Sequence, residues 1–441
     1  QDRFLFSTPF NIKDQSKLMD KGSLVAAYQN IKESRIDRKF DSFDRSSKFE
    51  SVQVLSINGD FTKNLDPNVR RNFGYGFEVA HNDVNSTSKG EVLDVIGNNI
   101  VGVKDNYVVQ TRYPDGGSSY LSSAVYASYR QDIGKKSTLN TGLRLTNTVL
   151  TAKWIDTTYI SLPDSDIRTM NTSVTVTAGY AFRPTDGLQV NGVLSSGFRS
   201  PNIDDIGKVR EKNGDVTVPN VDLEPEFAYN FEAGLIKYFD EKKSYFGLTA
   251  YYTLLNNYIV RAPFEINGQS QIIYDGDLAN VVANVNKGNA YIAGATMTFK
   301  GNLTNTWNTR ASLTYTQGSA YDTNEPLSSI PPLFGNIELG YARNRIDTGI
   351  NVVFNARKRL EDYNISEGID NIEQTPYILP EGEYYGNPAW YSLNYYMRFK
   401  TSKYVDLLFN IDNILDNHYK EFASAISAPG RNFSFTVIGT F

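Results

Sequence analysis

The sequence predicts an all-β protein, specifically a transmembrane antiparallel β-barrel. Three observations support this fold. Segments of about ten residues alternate apolar and polar side chains. Short and long links alternate between these segments, and the final segment is an amphipathic strand rich in aromatic residues. A period of two directs one side of each strand toward an apolar environment and the other side toward water.

The final segment, residues 431–441, shows the alternation most clearly. One side carries Phe433, Phe435, Val437, Gly439 and Phe441, and the other carries Ser434, Thr436 and Thr440, with Ile438 as the exception. A barrel wall needs this arrangement, because no sheet edge can stay unpaired in hydrocarbon. Taken alone, the segment also fits the last strand of a soluble β-sandwich.

The composition also favours a barrel. The 441 residues include 29 Tyr and 25 Phe but only 3 Trp, and Tyr suits an interface that is apolar at one end and wet at the other. The mean hydropathy is −0.40, and no apolar run approaches the roughly 18 to 20 residues of a spanning helix. The chain has no Cys, which excludes disulfides and thiolate metal sites. Its net charge of −5 argues against nucleic acid as a partner.

The links between strands alternate in length. The short turns are residues 134–136, 184–187, 240–243, 302–305, 344–347 and 401–403. The long connections are residues 157–171, 200–226, 261–287, 318–331, 360–388 and 418–430. This alternation is typical of barrels with tight periplasmic turns and long extracellular loops, whereas a sandwich has no reason to show it.

The strands between these links carry one apolar and one polar face. In one strand, Val174, Val176, Ala178, Tyr180 and Phe182 oppose Thr175, Thr177 and Gly179. Other strands place charged and amide groups on the polar face, so the sequence predicts a wet lumen. The pattern gives about sixteen strands, an even number, with the last one running toward the periplasm.

Two sequence boxes separated by about twenty residues carry a family resemblance. Residues 197–205 read Gly-Phe-Arg-Ser-Pro-Asn-Ile-Asp-Asp, and residues 219–226 read Pro-Asn-Val-Asp-Leu-Glu-Pro-Glu. Near the end, residues 410–419 read Asn-Ile-Asp-Asn-Ile-Leu-Asp-Asn-His-Tyr, and Pro-Gly-Arg at 429–431 precedes the aromatic terminal strand. Together these segments resemble TonB-dependent outer-membrane receptors.

The resemblance extends from about residue 121 to the end and implies a barrel of roughly 22 strands around an amino-terminal plug domain. About sixteen strands and no plug are identified here. Residues 1–441 are therefore expected to be the carboxy-terminal portion of such a barrel, with the plug domain absent from this chain. The alternative is a complete porin of about sixteen strands.

Five residues are ligand-binding candidates: Arg199, Asn202 and Asn220 in the two boxes, and Tyr384 and Tyr385 in a long loop. Arg199 suits an anionic ligand or a plug carboxylate, but an ion pair that fixes the loop is the favoured interpretation. Aromatic and amide groups at a barrel mouth suit a polar ligand with flat parts. An ordinary structural role in the girdle and loops explains these groups equally well.

No metal site, cofactor or catalytic centre is predicted. The acidic residues Asp204, Asp205, Asp222, Glu224 and Glu226 lack the ligand spacing of a calcium loop, which favours solvated loop charge. Haem is disfavoured because the chain has only His81 and His418, neither of them between the boxes, although Tyr ligation stays open. No nucleophile elbow or paired His indicates an enzyme.

By resemblance, the chain is expected to be part of an outer-membrane importer whose loops capture a scarce nutrient such as a siderophore or another metal chelate. A TonB complex acting through a plug would supply the energy. Haem, cobalamin, and a glycan delivered with a surface lipoprotein are also compatible ligands. Two alternatives come from other classes, a passive porin and a soluble or surface adhesin.

Overall fold

The computed structural model describes residues 1–13, 16–66, 70–158, 160–161, 165–212, 214–274 and 276–440. Strands dominate this part of the chain. They are β1 (Asp2–Lys13), β2 (Lys21–Arg38), β3 (Asp44–Asp66), β4 (Arg71–Ile96), β5 (Asn99–Tyr107), β6 (Ser118–Ile133), β7 (Ser137–Lys153), β8 (Asp166–Thr185), β9 (Leu188–Arg199), β10 (Arg210–Lys212), β11 (Asp215–Thr217), β12 (Glu226–Phe239), β13 (Ser244–Asn256), β14 (Ile259–Pro263), β15 (Gln271–Tyr274), β16 (Asp277–Asn286), β17 (Asn289–Asn302), β18 (Trp307–Ala320), β19 (Phe334–Arg343), β20 (Ile346–Asn355), β21 (Tyr377–Ile378), β22 (Glu383–Tyr384), β23 (Trp390–Lys400), β24 (Val405–Asp412) and β25 (Asn432–Gly439).

The described helical segments are short: α1 (Ile203–Ile206) and three 3₁₀ turns, Asp240–Lys242, Leu360–Asp362 and Ile372–Gln374. None of them has the length and apolar character required to cross a membrane.

One 18-stranded sheet forms the wall of the barrel. Each strand pairs antiparallel with its sequence neighbour in the wall, from the β1–β2 pair to the β24–β25 pair. Strand β5 pairs with the outer part of β4, and β4 continues the wall by pairing with β6. The all-β barrel prediction is confirmed. The two strands beyond the expected sixteen are β1 and β5, and in the described residues no pairing joins β1 to β25.

The predicted faces are present in the wall. On β8, Val174 is 57% exposed and Val176 is 52% exposed, whereas the polar Ser173 is 5% exposed. On β25, Phe433, Phe435 and Val437 are all exposed, and Phe441 lies outside the described residues. Large apolar side chains open to the surroundings on alternate positions form a belt suited to lipid contact.

The opposite face of the wall is polar. Arg144 Nη2 lies 3.1 Å from Glu78 Oε2, so an ion pair joins β7 to β4 on this side. A cavity of about 490 Å³ near the short turns is lined by charged groups that include Arg310, Glu338 and Asp347. The predicted wet lumen agrees with these contacts, because charged side chains are stable where water can solvate them.

The strands β3 and β4 are much longer than a bilayer requires. They span 23 and 26 residues, whereas about 9 to 11 residues cross the hydrocarbon layer. The excess lies at the long-loop end, where β5 continues the β3–β4 ladder beyond the point at which β6 begins to pair. This part of the sheet projects above the membrane-spanning wall.

The long connections, which the sequence predicts to be loops, contain a second sheet. In it β11 pairs parallel with β16, which also pairs antiparallel with β14 and β15. Buried side chains pack around this sheet, including Trp154, Ile206, Val216 and Val281, all 2% exposed or less. We call this unit, β10, β11, α1 and β14–β16 with their packed neighbours, the loop cap.

Ile206→Val tests whether the loop cap has a true core. Ile206 is 0% exposed, so removing one methyl group is expected to destabilise the cap by about 0.5 to 1.5 kcal/mol through lost burial and a small cavity. Hydrogen exchange of the β11 and β16 amides should accelerate accordingly. Ile155→Val is the matched control, because Ile155 is 67% exposed. Equal effects from the two variants would mean that the cap is not a packed unit.

Candidate ligand-binding site

The first sequence box ends β9 and starts α1. Asn202 caps this short helix, because its Oδ1 accepts the backbone N–H groups of Asp204 at 2.8 Å and Asp205 at 3.2 Å. In return, the Asp205 carboxylate accepts the Asn202 backbone N–H at 3.1 Å. Arg199 Nη2 donates a hydrogen bond to the same carboxylate, which belongs to a residue only 5% exposed. The box is therefore folded onto itself by reciprocal hydrogen bonds.

The second box joins this arrangement through β16. Asn220 Nδ2 donates to the Asn284 carbonyl oxygen at 2.8 Å. Asn284 Nδ2 donates to the Asp205 carbonyl oxygen at 3.3 Å and to its Oδ1 at 3.4 Å. Three candidate residues, Arg199, Asn202 and Asn220, are thus brought together through Asp205 and Asn284. Their observed contacts hold the loop cap, and a direct ligand contact stays a prediction.

The acidic residues of the first box have specific partners, although the Asp204 side chain is still 48% exposed. Asp205 is buried, and Asp204 accepts hydrogen bonds from the Tyr113 hydroxyl and from Lys208 Nζ, both at 2.7 Å. Burial opposes ionisation of Asp204, but the hydrogen bonds from Lys208 and Tyr113 keep the pKa of its carboxyl below the usual value. Tyr113 lies far away in sequence, so residue spacing gave no signal for this contact.

The candidates Tyr384 and Tyr385 belong to a different cluster, in the connection between β20 and β23. The Tyr384 ring packs edge-on against Tyr377, with centroids 5.3 Å apart. The Arg357 guanidinium lies 3.5 Å from the centre of the Tyr385 ring, and its Nη2 donates to the Tyr385 carbonyl oxygen at 3.0 Å. These contacts order the loop and leave the two tyrosines outside the Arg199 group.

The Lys358 side chain places a buried ammonium group next to this loop. Lys358 is 3% exposed, its Nζ donates to the Ile330 carbonyl oxygen, and the rings of Tyr363 and Phe422 lie 5.0 Å and 4.5 Å from it. Burial lowers the pKa of Lys358, and the nearby Asp370 carboxylate opposes this shift. We call Lys358, Ile330, Tyr363, Phe422 and Asp370 the Lys358 cluster. It fastens three long loops to one another.

Asp370 extends the cluster to another loop position. Its two carboxylate oxygens accept the Ser329 backbone N–H at 3.0 Å and 3.1 Å, and the residue is 4% exposed. Glu367, 8% exposed, lies close enough to Asp370 for the two carboxylates to repel. Burial is the main cause of the raised pKa of both carboxyl groups.

The stability of this loop should depend on pH through Glu367. Its pKa is raised by burial in the folded state, so the folded loop retains a proton that the opened loop has released. Loop stability is therefore expected to fall as the pH rises from the ordinary pKa of Glu through the raised one, with Asp370 contributing in the same direction. Hydrogen exchange of residues 364–375, corrected for intrinsic rates, should show slower opening at about pH 5 than at about pH 8.

Glu367→Gln should reduce this pH dependence and slow loop opening at the higher pH, because a neutral side chain then occupies the buried position. Glu361→Gln is the control, since the Glu361 side chain is 68% exposed. If Glu367→Gln left the pH dependence of loop opening unchanged, Glu367 would not be its source.

In the described residues no group of three or more His, Cys, Asp or Glu side chains could hold a metal ion. The arrangement at the long-loop end instead offers hydrogen-bond donors, amides and aromatic rings above a polar lumen. Such groups suit reversible capture of a ligand.

Comparison with solved structures shows the same fold. The chain aligns with the copper transporter OprC (TM-score 0.77, 16% identity, 100% of this chain and 65% of that one). It also aligns with the siderophore receptor PiuA from Acinetobacter baumannii (TM-score 0.68, 16% identity, 99% of this chain and 64% of that one). A third match is the ferric enterobactin receptor PfeA from Pseudomonas aeruginosa (TM-score 0.74, 15% identity, 100% of this chain and 62% of that one). This chain therefore spans less than two thirds of the length of these structures.

No curated protein matches the sequence. The family model described as TonB dependent receptor-like, beta-barrel, matches residues 2–414, which is nearly the whole chain. Together with the antiparallel wall, its outward apolar belt and its polar lumen, this match shows that the chain belongs to the TonB-dependent receptor β-barrel family.

Proposed function

We propose that this chain forms the barrel wall and ligand-capturing loops of an outer-membrane importer for a scarce nutrient, such as a siderophore or another metal chelate. TonB-dependent receptors are transporters rather than enzymes, which supports transport as the activity. Two of the structures similar to this chain are a siderophore receptor and a ferric enterobactin receptor, and another is a copper transporter. These names support a metal or metal chelate as the cargo.

The packed loop cap at the mouth of a polar lumen is the main support for this proposal. The cap has its own buried core and is tied to β9 by the Arg199–Asp205 ion pair. A rigid, polar and aromatic mouth can present fixed donors to a ligand at a low entropic cost. A freely permeable porin has no need for such a structure.

We further propose that additional strands and a plug complete the receptor. Without β5, the antiparallel wall from β1 to β25 has an odd number of strands, so β1 and β25 run in the same direction. Only an odd number of additional strands can close such a wall with antiparallel pairs throughout. A barrel of roughly 22 strands satisfies this condition. A plug would then transmit the pull of a TonB complex.

Energised uptake tests the proposal. Cells carrying or lacking the intact gene should be supplied with radioiron-labelled ferric enterobactin and, separately, with radiolabelled copper ions. The proposal predicts saturable uptake of one of these that depends on the gene and stops when an uncoupler collapses the proton gradient. Uptake that stays linear with concentration and resists the uncoupler would indicate a porin instead.

A further inference from the structure

The two ends of the barrel carry opposite charge. In the sequence around the six short turns, Lys and Arg outnumber Asp and Glu by more than two to one, counted over residues 130–137, 183–188, 237–243, 300–310, 343–347 and 398–406. Over the six long connections, Asp and Glu outnumber Lys and Arg by about three to one. The net charge of the whole chain is −5, so the basic surplus belongs to the short-turn end alone. An anionic surface is attracted to that end.

Three of these cations lie together on neighbouring turns. Arg343 is the last residue of β19 and lies on the same face of the strand as Ile337, which is 51% exposed on the apolar side. Arg345 lies in the next turn, and Lys403 lies in the turn between β23 and β24. All three are exposed. Arg345 Nη1 donates to the Thr401 carbonyl oxygen at 3.4 Å, which joins the two turns. We call Arg343, Arg345 and Lys403 the rim cations.

The carboxylates of the same turns lie on the opposite face of the wall. Asp347 lines the cavity in the lumen, and Asp406 accepts a hydrogen bond from Arg398 Nε at 2.9 Å. In the part of the chain that the structure describes, no ion pair forms with a rim cation. A guanidinium without a carboxylate partner can bind a phosphate group through two parallel hydrogen bonds.

Aromatic rings lie beside the rim cations where the apolar belt ends. The Trp307 and Tyr341 rings pack edge-on with centroids 5.1 Å apart, and Trp307 is 41% exposed. Lys403 Nζ lies 4.7 Å from the centre of the Tyr404 ring, which is also exposed. Trp and Tyr are enriched at the level of the lipid headgroups, because their rings have an apolar body and a polar tip. The rim cations therefore lie at the depth of the lipid phosphates.

We propose that the rim cations bind the phosphate of an anionic phospholipid in the leaflet on the short-turn side. The acyl chains of this lipid lie against the apolar face of β18–β20, and its phosphate accepts hydrogen bonds from Arg343 and Arg345 with Lys403 nearby. The acidic long connections repel such a lipid, so binding is confined to one leaflet. The inference goes beyond the proposed function, because it concerns the lipid around the wall and not the cargo.

Fluorescence of Trp307 tests the proposal in vesicles. The intact receptor is reconstituted in phosphatidylcholine in which the same fraction of lipid is replaced by brominated phosphatidylglycerol or by brominated phosphatidylcholine. Bromine quenches a tryptophan only at close range, and the difference between the parent and Trp307→Phe isolates the Trp307 signal.

The quenching should correspond to a preference of at least about tenfold for phosphatidylglycerol, as expected for several cations at an anionic lipid, and should weaken at high salt. This comparison needs no substitution among the rim cations, so it holds even if a rim variant fails to assemble. Equal quenching by the two lipids would overturn the proposal and leave a soluble acidic protein as the partner for this charge.

Arg343→Gln should lower the preference for phosphatidylglycerol about fivefold, the ratio expected for one cation beside an anionic membrane surface. Arg310→Gln is the matched control, because it removes the same charge at the same end of the barrel but Arg310 lines the lumen. An equal loss in both variants would show a general field instead of a lipid site. Inorganic phosphate at millimolar concentration should leave the preference unchanged. If it abolished the preference, the rim would bind free phosphate and the lipid assignment would be wrong.

Discussion

Val176→Arg is expected to destabilise the barrel by about 2 to 4 kcal/mol, the cost measured for an arginine placed on the lipid face near the bilayer midplane. Val176 projects from β8 on the apolar side and is 52% exposed. In a membrane this exposed surface meets hydrocarbon, where a guanidinium cannot be solvated. The variant should unfold at a lower urea concentration in lipid vesicles, or fail to assemble.

Thr177→Arg is the matched control because the next residue of the same strand faces the lumen. A guanidinium there can reach water, so its cost should be well below that of Val176→Arg. Unfolding titrations of both variants in the same lipid give the comparison. Equal destabilisation by the two substitutions would mean that the faces of β8 are assigned incorrectly.

Asp205→Ala is expected to destabilise the loop cap by about 2 to 3 kcal/mol and to leave the barrel wall intact. The substitution removes the acceptor for Arg199, for the Asn202 backbone N–H and for Asn284 Nδ2 at once. The expected cost is below that of a fully buried ion pair, because the Arg199 side chain is 47% exposed and water can solvate it.

Limited proteolysis should detect this effect, with faster cleavage in residues 200–226 of Asp205→Ala than in the parent. Asp222→Ala serves as the control, because Asp222 belongs to the second box but is exposed. Loss of the folded wall in Asp205→Ala would contradict the view that the two boxes act on the loops. Identical cleavage in both variants would show that the buried carboxylate is not the anchor.

The barrel wall could be predicted from the sequence because a strand buried in lipid on one face must repeat with a period of two. Val174, Val176 and Phe182 display that period without help from distant residues. The strand β1 is hard to predict because Pro9 cannot donate to a ladder and argues against a strand, and β5 is hard to predict because the consecutive apolar residues Ile100 and Val101 break the period of two. In both cases a local irregularity hid the strand.

The loop cap could not be predicted in the same way. Its strand β11 has three residues, too few to show a period, and it pairs parallel with β16, with Val216 opposite Val281. Pairings between segments so far apart leave no local signature. The sequence pattern therefore predicts irregular loops where the loop cap forms.

The candidate site was predictable only in part. The boxes placed Arg199, Asn202 and Asn220 in one group, and the structure brings them together through Asp205. The stacking of Trp390 on Tyr419, with ring centroids 4.1 Å apart, has no signal in the sequence, because the two residues come from different connections. Contacts of that kind are set by the packing of loops and not by residue spacing.

Alternate residues of these strands face lipid and water, and spin labels can measure this directly. The chain contains no Cys, so single cysteines placed in turn at residues 173–182 of β8 can each carry a spin label in lipid vesicles. Collisions with oxygen, which concentrates in hydrocarbon, should peak at Val174, Val176, Ala178, Tyr180 and Phe182. Collisions with a water-soluble nickel reagent should peak at the residues between them. A profile without a period of two, or apolar positions shielded from both reagents in a dry interior, would contradict this alternation.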